Sequence, residues 1–179
     1  MTDVKLEEPK ELQKVSEPIE EIAFPQVDAF KLVLVAPQQV IQYIDFILES
    51  VLASLPPDVR LDDISTMNVK GGILDGSLQV WAITGVMPEG GPPRPVGIGT
   101  TRISIDPYTN TKYLLVFSLY YYAVLRPSCY QDFWQVIYNY AKSQGCVRID
   151  MFTENPVVLE RAKAVGMNTS MHYCTKEVV

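Results

Sequence analysis

The sequence is poor in the residues from which metal and nucleophile sites are usually built: 179 residues contain one histidine, His172, and three cysteines, Cys129, Cys146 and Cys174. A single imidazole excludes a His-rich metal centre. Any Ser/His/Asp or Cys/His apparatus would rest on that one side chain, for which an ordinary strand histidine is the simpler reading. The cysteines, spaced 17 and 28 apart, fit neither a disulfide framework nor a CxxC metal site, so free thiols in a reducing, cytoplasmic setting are expected, and no metal. Long hydrophobic runs are also missing. The longest apolar stretch, residues 114–125, is interrupted by Ser118 and falls short of the roughly eighteen residues that mark a membrane span. Residues 1–14 are acidic and lack the basic and apolar regions of a secretory signal, so export by that route is not expected.

Positive charge is scarce as well, and the net charge of −6 is unevenly placed. Residues 1–28 hold eight acids against Lys5, Lys10 and Lys14, whereas residues 29–179 hold 13 acids and 12 bases. A nearly neutral domain with no basic stripe lacks the phosphate-directed electrostatics that nucleic-acid binding requires. DNA and RNA are therefore not expected partners, and neither is a membrane.

The acidic stretch 1–28 reads as an extended arm, because Pro9, Pro18 and Pro25 prevent a long helix. It also carries Leu6, Leu12, Val15, Ile19, Ile22 and Phe24, more apolar side chains than a solvated linker needs. Docking of the arm on its own domain, on a second copy or on a protein partner is one reading; a loose terminal tail is the other.

Residues 29–179 form the expected domain, long enough and, at 47% hydrophobic composition for the chain, apolar enough for one core. Residues 30–36 (FKLVLVA) read as a buried strand stopped by Pro37. From Gln38 the apolar period lengthens to three and four, through Val40, Ile44, Ile47, Val51 and Leu55, which predicts one amphipathic helix ending at Pro56. A shorter helix over 62–69 is expected to break at Gly71 and Gly72. Three strands follow, over 77–86, 96–105 and 112–124, joined by the Pro- and Gly-dense PEGGPPRP loop and by DPYTNT. Short connections of this chemistry favour an antiparallel meander. A one-faced helix over 131–143 stops at Gly145, and a strand follows over 147–153. Asn155 and Pro156 then cap a helix closed by Gly166, and a last strand covers 170–178.

This order resembles the GNAT superfamily of acyl-CoA-dependent N-acyltransferases over residues 29–179. The fold it implies is α/β (α+β): a mixed, mostly antiparallel twisted sheet flanked by helices, here with an extended amino-terminal arm. The segment 155–166 followed by Met167 is similar to the family's late motif, an Asn-opened helix ending in Gly and a large apolar residue. In the family an Arg/Gln-x-x-Gly-x-Gly/Ala turn at a helix start holds the cofactor pyrophosphate, since amino-terminal N–H groups face the anion and glycine permits close approach. Here that turn is Arg126-Pro127-Ser128-Cys129-Tyr130-Gln131. Arg126 matches, Cys129 and Gln131 replace the small positions, and Pro127 removes an N–H. The family's late Tyr, which protonates the leaving thiolate, is Ala162 here. Tyr130 and Cys129 are the nearby alternative donors, and Asp106, Asp132, Asp150 and Glu154 the candidate bases.

Tyr120, Tyr121 and Tyr122 fall on the family strand that splays to admit acyl-CoA. Their hydroxyls either line a substrate cleft or simply alternate across the two faces of the sheet, as aromatics in strands commonly do. Trp81 and Trp134 are core candidates. The candidate cofactor residues are accordingly Tyr121, Tyr122, Arg126, Ser128, Cys129, Tyr130, Gln131 and Asn155. Two functions follow from the resemblance. The first is a non-catalytic GNAT-fold protein acting through protein contacts, similar to short GNAT-like proteins of tailed phages, including virion components. The alternative is an acetyl-CoA-dependent N-acetyltransferase acting on an amine. The altered turn favours the first.

Overall fold

A computed structural model describes residues 26–27, 29–55, 63–87, 90–153 and 155–170. The expected last strand lies outside these residues apart from Ser170, as do His172, Cys174, Glu154 and the arm up to residue 25. A five-stranded sheet carries the domain: β2 (Ala29–Leu34), β3 (Gln79–Val86), β4 (Arg94–Ile105), β5 (Lys112–Tyr121) and β7 (Arg148–Met151), side by side in that order. The first four are antiparallel neighbours, and β7 joins β5 in parallel. Two residues of the arm, β1 (Gln26–Val27), pair in parallel with β6 (Val124–Leu125) just beyond β5.

Helices cover both faces. On one side α4 (Pro127–Ser143) sets Phe133, Ile137 and Ala141, spaced at four, against Trp81, Ile83, Val96, Leu114 and Val116. On the other side α1 (Pro37–Gln42), α2 (Ile44–Ala53) and α3 (Asp63–Asp75) bury Val40, Ile47, Val51, Val69 and Ile73 against Val80 and Ile98. The last helix, α5 (Pro156–Ala164), follows β7. This is the sandwich expected of a sheet that must bury both faces.

Several expected boundaries move. The single helix over 38–55 is two, α1 and α2, which meet at Tyr43 (φ −116°, ψ 19°). Gly71 and Gly72 lie inside α3 rather than ending it. A Cβ on Gly72 would sit 3.1 Å from Ser77 Oγ and 3.2 Å from Leu78 Cδ1, so this glycine serves a close approach within a continuing helix. The helix expected from Gln131 begins four residues earlier, with Pro127 at its first position, where its fixed φ and missing N–H cost nothing. The strand expected to reach Val124 stops at Tyr121.

Candidate functional site

The site grows from a defect in β5. On the β4 side, Thr100 pairs with Ser118 but Thr101 pairs with Val116, so Phe117 is an extra residue. Such a bulge leaves a residue without a ladder partner and bends its strand. On the other edge, pairing with β7 ends at Val116 and Met151, while β5 runs on to Tyr121. Bulge and splay therefore coincide, and beyond Val116 the strands β5 and β7 part.

The bulge also decides which tyrosine faces inward. Before it, Leu114 and Val116 pack on the α4 side; after it, Leu119 and Tyr121 do. Tyr121 lies over Gly97, where a Cβ would come within 2.9 Å of its ring, and its hydroxyl is sealed without a hydrogen-bond partner. Burial pushes its acidity far above the ordinary phenol range, with the Tyr130 hydroxyl adding to the effect. Tyr122 belongs to the opposite face. It stacks on Phe46 at 5.6 Å and meets Tyr120 edge-on at 5.2 Å. Its hydroxyl is 2.5 Å from Ser50 Oγ, which itself donates to Phe46 O at 2.9 Å, so Tyr122 is the donor. Burial raises its pKa and the Ser50 contact opposes that rise. The rings thus alternate across the sheet, and Tyr121 and Tyr122 do not share a site.

The other candidates gather at the start of α4. Arg126 is its N-cap, exposed and in extended backbone (φ −61°, ψ 149°), and Ser128, Cys129, Tyr130 and Gln131 follow in the first turns. Cys129 points inward at 3% exposure, and its Sγ donates to Val27 O over 3.9 Å. Tyr130 meets Tyr121 at 6.2 Å between ring centroids, and the Arg161 guanidinium of α5 stands 3.8 Å over its ring. Burial raises the Tyr130 pKa against the pull of Arg161. Asn155 is spent as a cap: its Oδ1 accepts from Val157 N–H at 3.0 Å. Ala162, where the family has Tyr, is buried at 3% exposure.

The acids are placed elsewhere. Asp106 accepts from the backbone N–H groups of Tyr108 and Thr109 in the β4–β5 turn and pairs with Arg148 at 3.2 Å. These contacts, the backbone ones first, hold its carboxyl below the usual range. Asp150 takes the other side of Arg148 at 3.0 Å. Both are bound into a surface ion-pair cluster at the paired end of β5 and β7. Asp132 is exposed on α4. No group of three or more His, Cys, Asp or Glu side chains could hold a metal among the described residues, and none of their helices is long and apolar enough to cross a membrane.

Sequence reasoning missed three participants. Val27 is fully buried (0% exposed) within the main core, although it belongs to an acidic arm. Gly85 makes its socket: a Cβ there would lie 2.5 Å from Val27 Cγ1. Arg161 was hidden because nothing in the sequence links it to Tyr130. The one advance signal was the apolar content of the arm.

Beyond this cluster an open cleft of about 780 Å³ runs between α4 and α5 over the start of β7. Gln131, Trp134, Tyr138 and Lys142 of α4 line it, as do Gly166 and Met167 after α5 and Cys146 and Ile149 around the start of β7.

No protein-family model matches this chain, and no curated protein matches it in sequence. Solved structures do match. A predicted acetyltransferase with acetyl-CoA from Clostridium acetobutylicum is 11% identical, with a TM-score of 0.56 over 83% of this chain and 96% of that one. An aminoglycoside antibiotic 6'-N-acetyltransferase from Acinetobacter baumannii is 12% identical, at 0.53 over 84% and 100%. A GNAT family acetyltransferase from Staphylococcus aureus is 10% identical, at 0.54 over 84% and 99%. At these identities the likeness is one of fold: the chain has the GNAT fold expected from its element order.

Proposed function

We propose that this is a GNAT-fold protein that works through protein contacts and does not transfer acyl groups. The observation that carries the reading is the packed start of α4. Where the family seats a pyrophosphate against small residues, Cys129 is buried against the arm at Val27 O, and Tyr130 is sandwiched between Tyr121 and Arg161. An anion needs open N–H groups at a helix start; Pro127 supplies none, and Cys129 and Tyr130 in the same turn are already engaged with Val27 O and with Tyr121 and Arg161. The thiolate would also find no proton donor at Ala162. The contacts we assign to the protein are made by its acidic arm, to a protein partner or to a second copy. A phage virion or other phage-encoded protein is the setting we propose, on the short domain and its late 155–166 segment.

One observation favours the alternative, an acetyl-CoA-dependent N-acetyltransferase. The Phe117 bulge at the mouth of the splay supplies backbone without a ladder partner where a thioester carbonyl would need a donor. Positioning alone contributes much of such a reaction's rate. Calorimetric titration of acetyl-CoA and of CoA into the full chain separates the two. No binding at millimolar ligand is expected. Micromolar binding that is lost in Arg126→Ala would overturn the non-catalytic reading.

A further inference from the structure

We propose that β2 is an interaction surface for a second copy of this chain, the two strands pairing antiparallel about a two-fold axis at Leu32. The inference goes beyond the proposed function and holds whether or not the chain binds acetyl-CoA.

β2 ends the five-stranded sheet, and among the described residues no strand pairs with its outer side. In an antiparallel ladder, successive residues turn their N–H and C=O groups alternately toward the neighbouring strand and away from it. Val35 N–H donates to Val80 O at 2.8 Å, in register with the β2–β3 ladder, so Ala29, Lys31 and Val33 bond inward to β3. Phe30, Leu32 and Leu34 direct their groups outward. Edge strands are usually blunted by proline, bulges or charged side chains. β2 (AFKLVL) has no proline, its ladder with β3 is unbroken from Ala29 to Leu34, and Lys31 is its one charge. Phe30 and Leu32 pack into the core on the α4 side, which by alternation sets Leu34 on that face and Lys31 and Val33 on the face of α1 to α3. Val33 is 40% and Leu34 45% exposed, so a strand added at this edge covers apolar surface on both faces.

Charge and bond count select the register. With the axis at Leu32, Phe30 of each copy lies opposite Leu34 of the other, and all three outward residues exchange main-chain bonds, about six in all. Apolar residues meet apolar residues on the α4 side. On the other face Lys31 of each copy lies opposite Val33 of the other, where its aliphatic stem covers the valine while its ammonium reaches water. An axis at Lys31 would set the two lysines directly against each other, a destabilising pair. An axis at Val33 would set Phe30 against Ala36, the N-cap of α1, whose carbonyl already accepts from the N–H groups of Gln39 and Val40. The strand thus matches itself best about Leu32, which selects a second copy over an unrelated strand, and a two-fold contact of this kind closes on itself. The six residues of β2 span about 20 Å at roughly 3.3 Å each. That edge is small beside a standard interface of about 800 Å² per partner, so the dimer is reversible and micromolar.

Sedimentation velocity of the full chain, from low micromolar to several hundred micromolar, tests this through two exposed positions, Lys31 and Val33. Val33→Lys sets lysine against lysine in both symmetric pairs and is expected to weaken the dimer several-fold. Val33→Glu sets a carboxylate opposite Lys31 in both pairs and is expected to tighten it several-fold at low salt, a gain that shrinks as salt rises. Adding Lys31→Glu to Val33→Lys restores opposite charges in the same pairs and is expected to recover the dimer. A wild-type chain that stays monomeric throughout, a dimer indifferent to both Val33 substitutions, or a double variant no tighter than Val33→Lys would overturn the proposal.

Discussion

Val27 and Gly85 form a knob and socket whose coupling can be measured. Val27→Ala removes two carbons from a fully buried site, worth about 1.6 kcal/mol in transfer at roughly 0.8 kcal/mol per carbon. The cavity left behind adds to this, for a total of about 2–3 kcal/mol. Gly85→Ala places a Cβ 2.5 Å from Val27 Cγ1 and 3.2 Å from both Val96 methyls, an overpacking expected to cost about 1–3 kcal/mol. With both changes, the closest clash disappears while the Val96 contacts remain tight. The double variant should therefore fall short of the summed costs by about 1–2 kcal/mol, well beyond the roughly 0.3–0.5 kcal/mol within which independent sites add. Urea unfolding of the four proteins, compared at their midpoints with unchanged slope, measures this directly. If Val27→Ala costs under about 0.5 kcal/mol, as a loose terminal residue would, or if the two changes simply add, then the arm is not part of the core and the socket reading fails.

The paired tyrosines give an opposed prediction. Tyr122→Phe loses the hydroxyl contact to Ser50 and should cost about 0.5–1.5 kcal/mol, whereas Tyr121→Phe removes a hydroxyl with no partner and should cost nothing or stabilise by up to about 1 kcal/mol; equal losses in urea unfolding would contradict the assignment of their faces. Burial raises the pKa of Tyr121, Tyr122, Tyr130 and Tyr140 in the folded chain. Unfolded tyrosines release their protons from about pH 10, so the folded state holds more protons above that point. Stability should be level up to about pH 10 and fall as pH rises through the folded values; urea midpoints that stay constant between about pH 8 and 10.5 would refute the burial of these groups.

The parts of this fold that were legible in the sequence are those written locally. Asn155 and Pro156 announce the start of α5, and Gly145 (φ 73°) and Gly166 (φ 83°) sit past the ends of α4 and α5 in the left-handed backbone that glycine adopts most freely. Turn chemistry between β3, β4 and β5 gave the meander, and with it the fold. Features made by approach between distant segments were not legible. Gly72 looks like a helix breaker and is a contact surface. Strand alternation alone cannot say whether Tyr121 or Tyr122 faces α4, because one extra residue at Phe117 exchanges the two sides of everything after it.

The same limit applied to the site. Reading Arg126 to Gln131 against a family turn put these residues before a helix expected from Gln131, whereas α4 begins at Pro127, and it treated Cys129 and Gln131 as two obstructions of one kind. In the folded chain they do different things: Cys129 turns inward to the arm, and Gln131 lies exposed at the mouth of the cleft. Removing an obstruction at Gln131 would open surface that is already open, whereas Cys129→Gly would delete a core contact while leaving Val27 in place. Restoring a family-like glycine at Cys129 should therefore lower stability without creating cofactor affinity, because the backbone of β1 remains paired with β6 beside the same turn. Under the non-catalytic reading proposed above, the contact of the arm with this turn, more than the identity of the two turn residues, is what would keep a cofactor out.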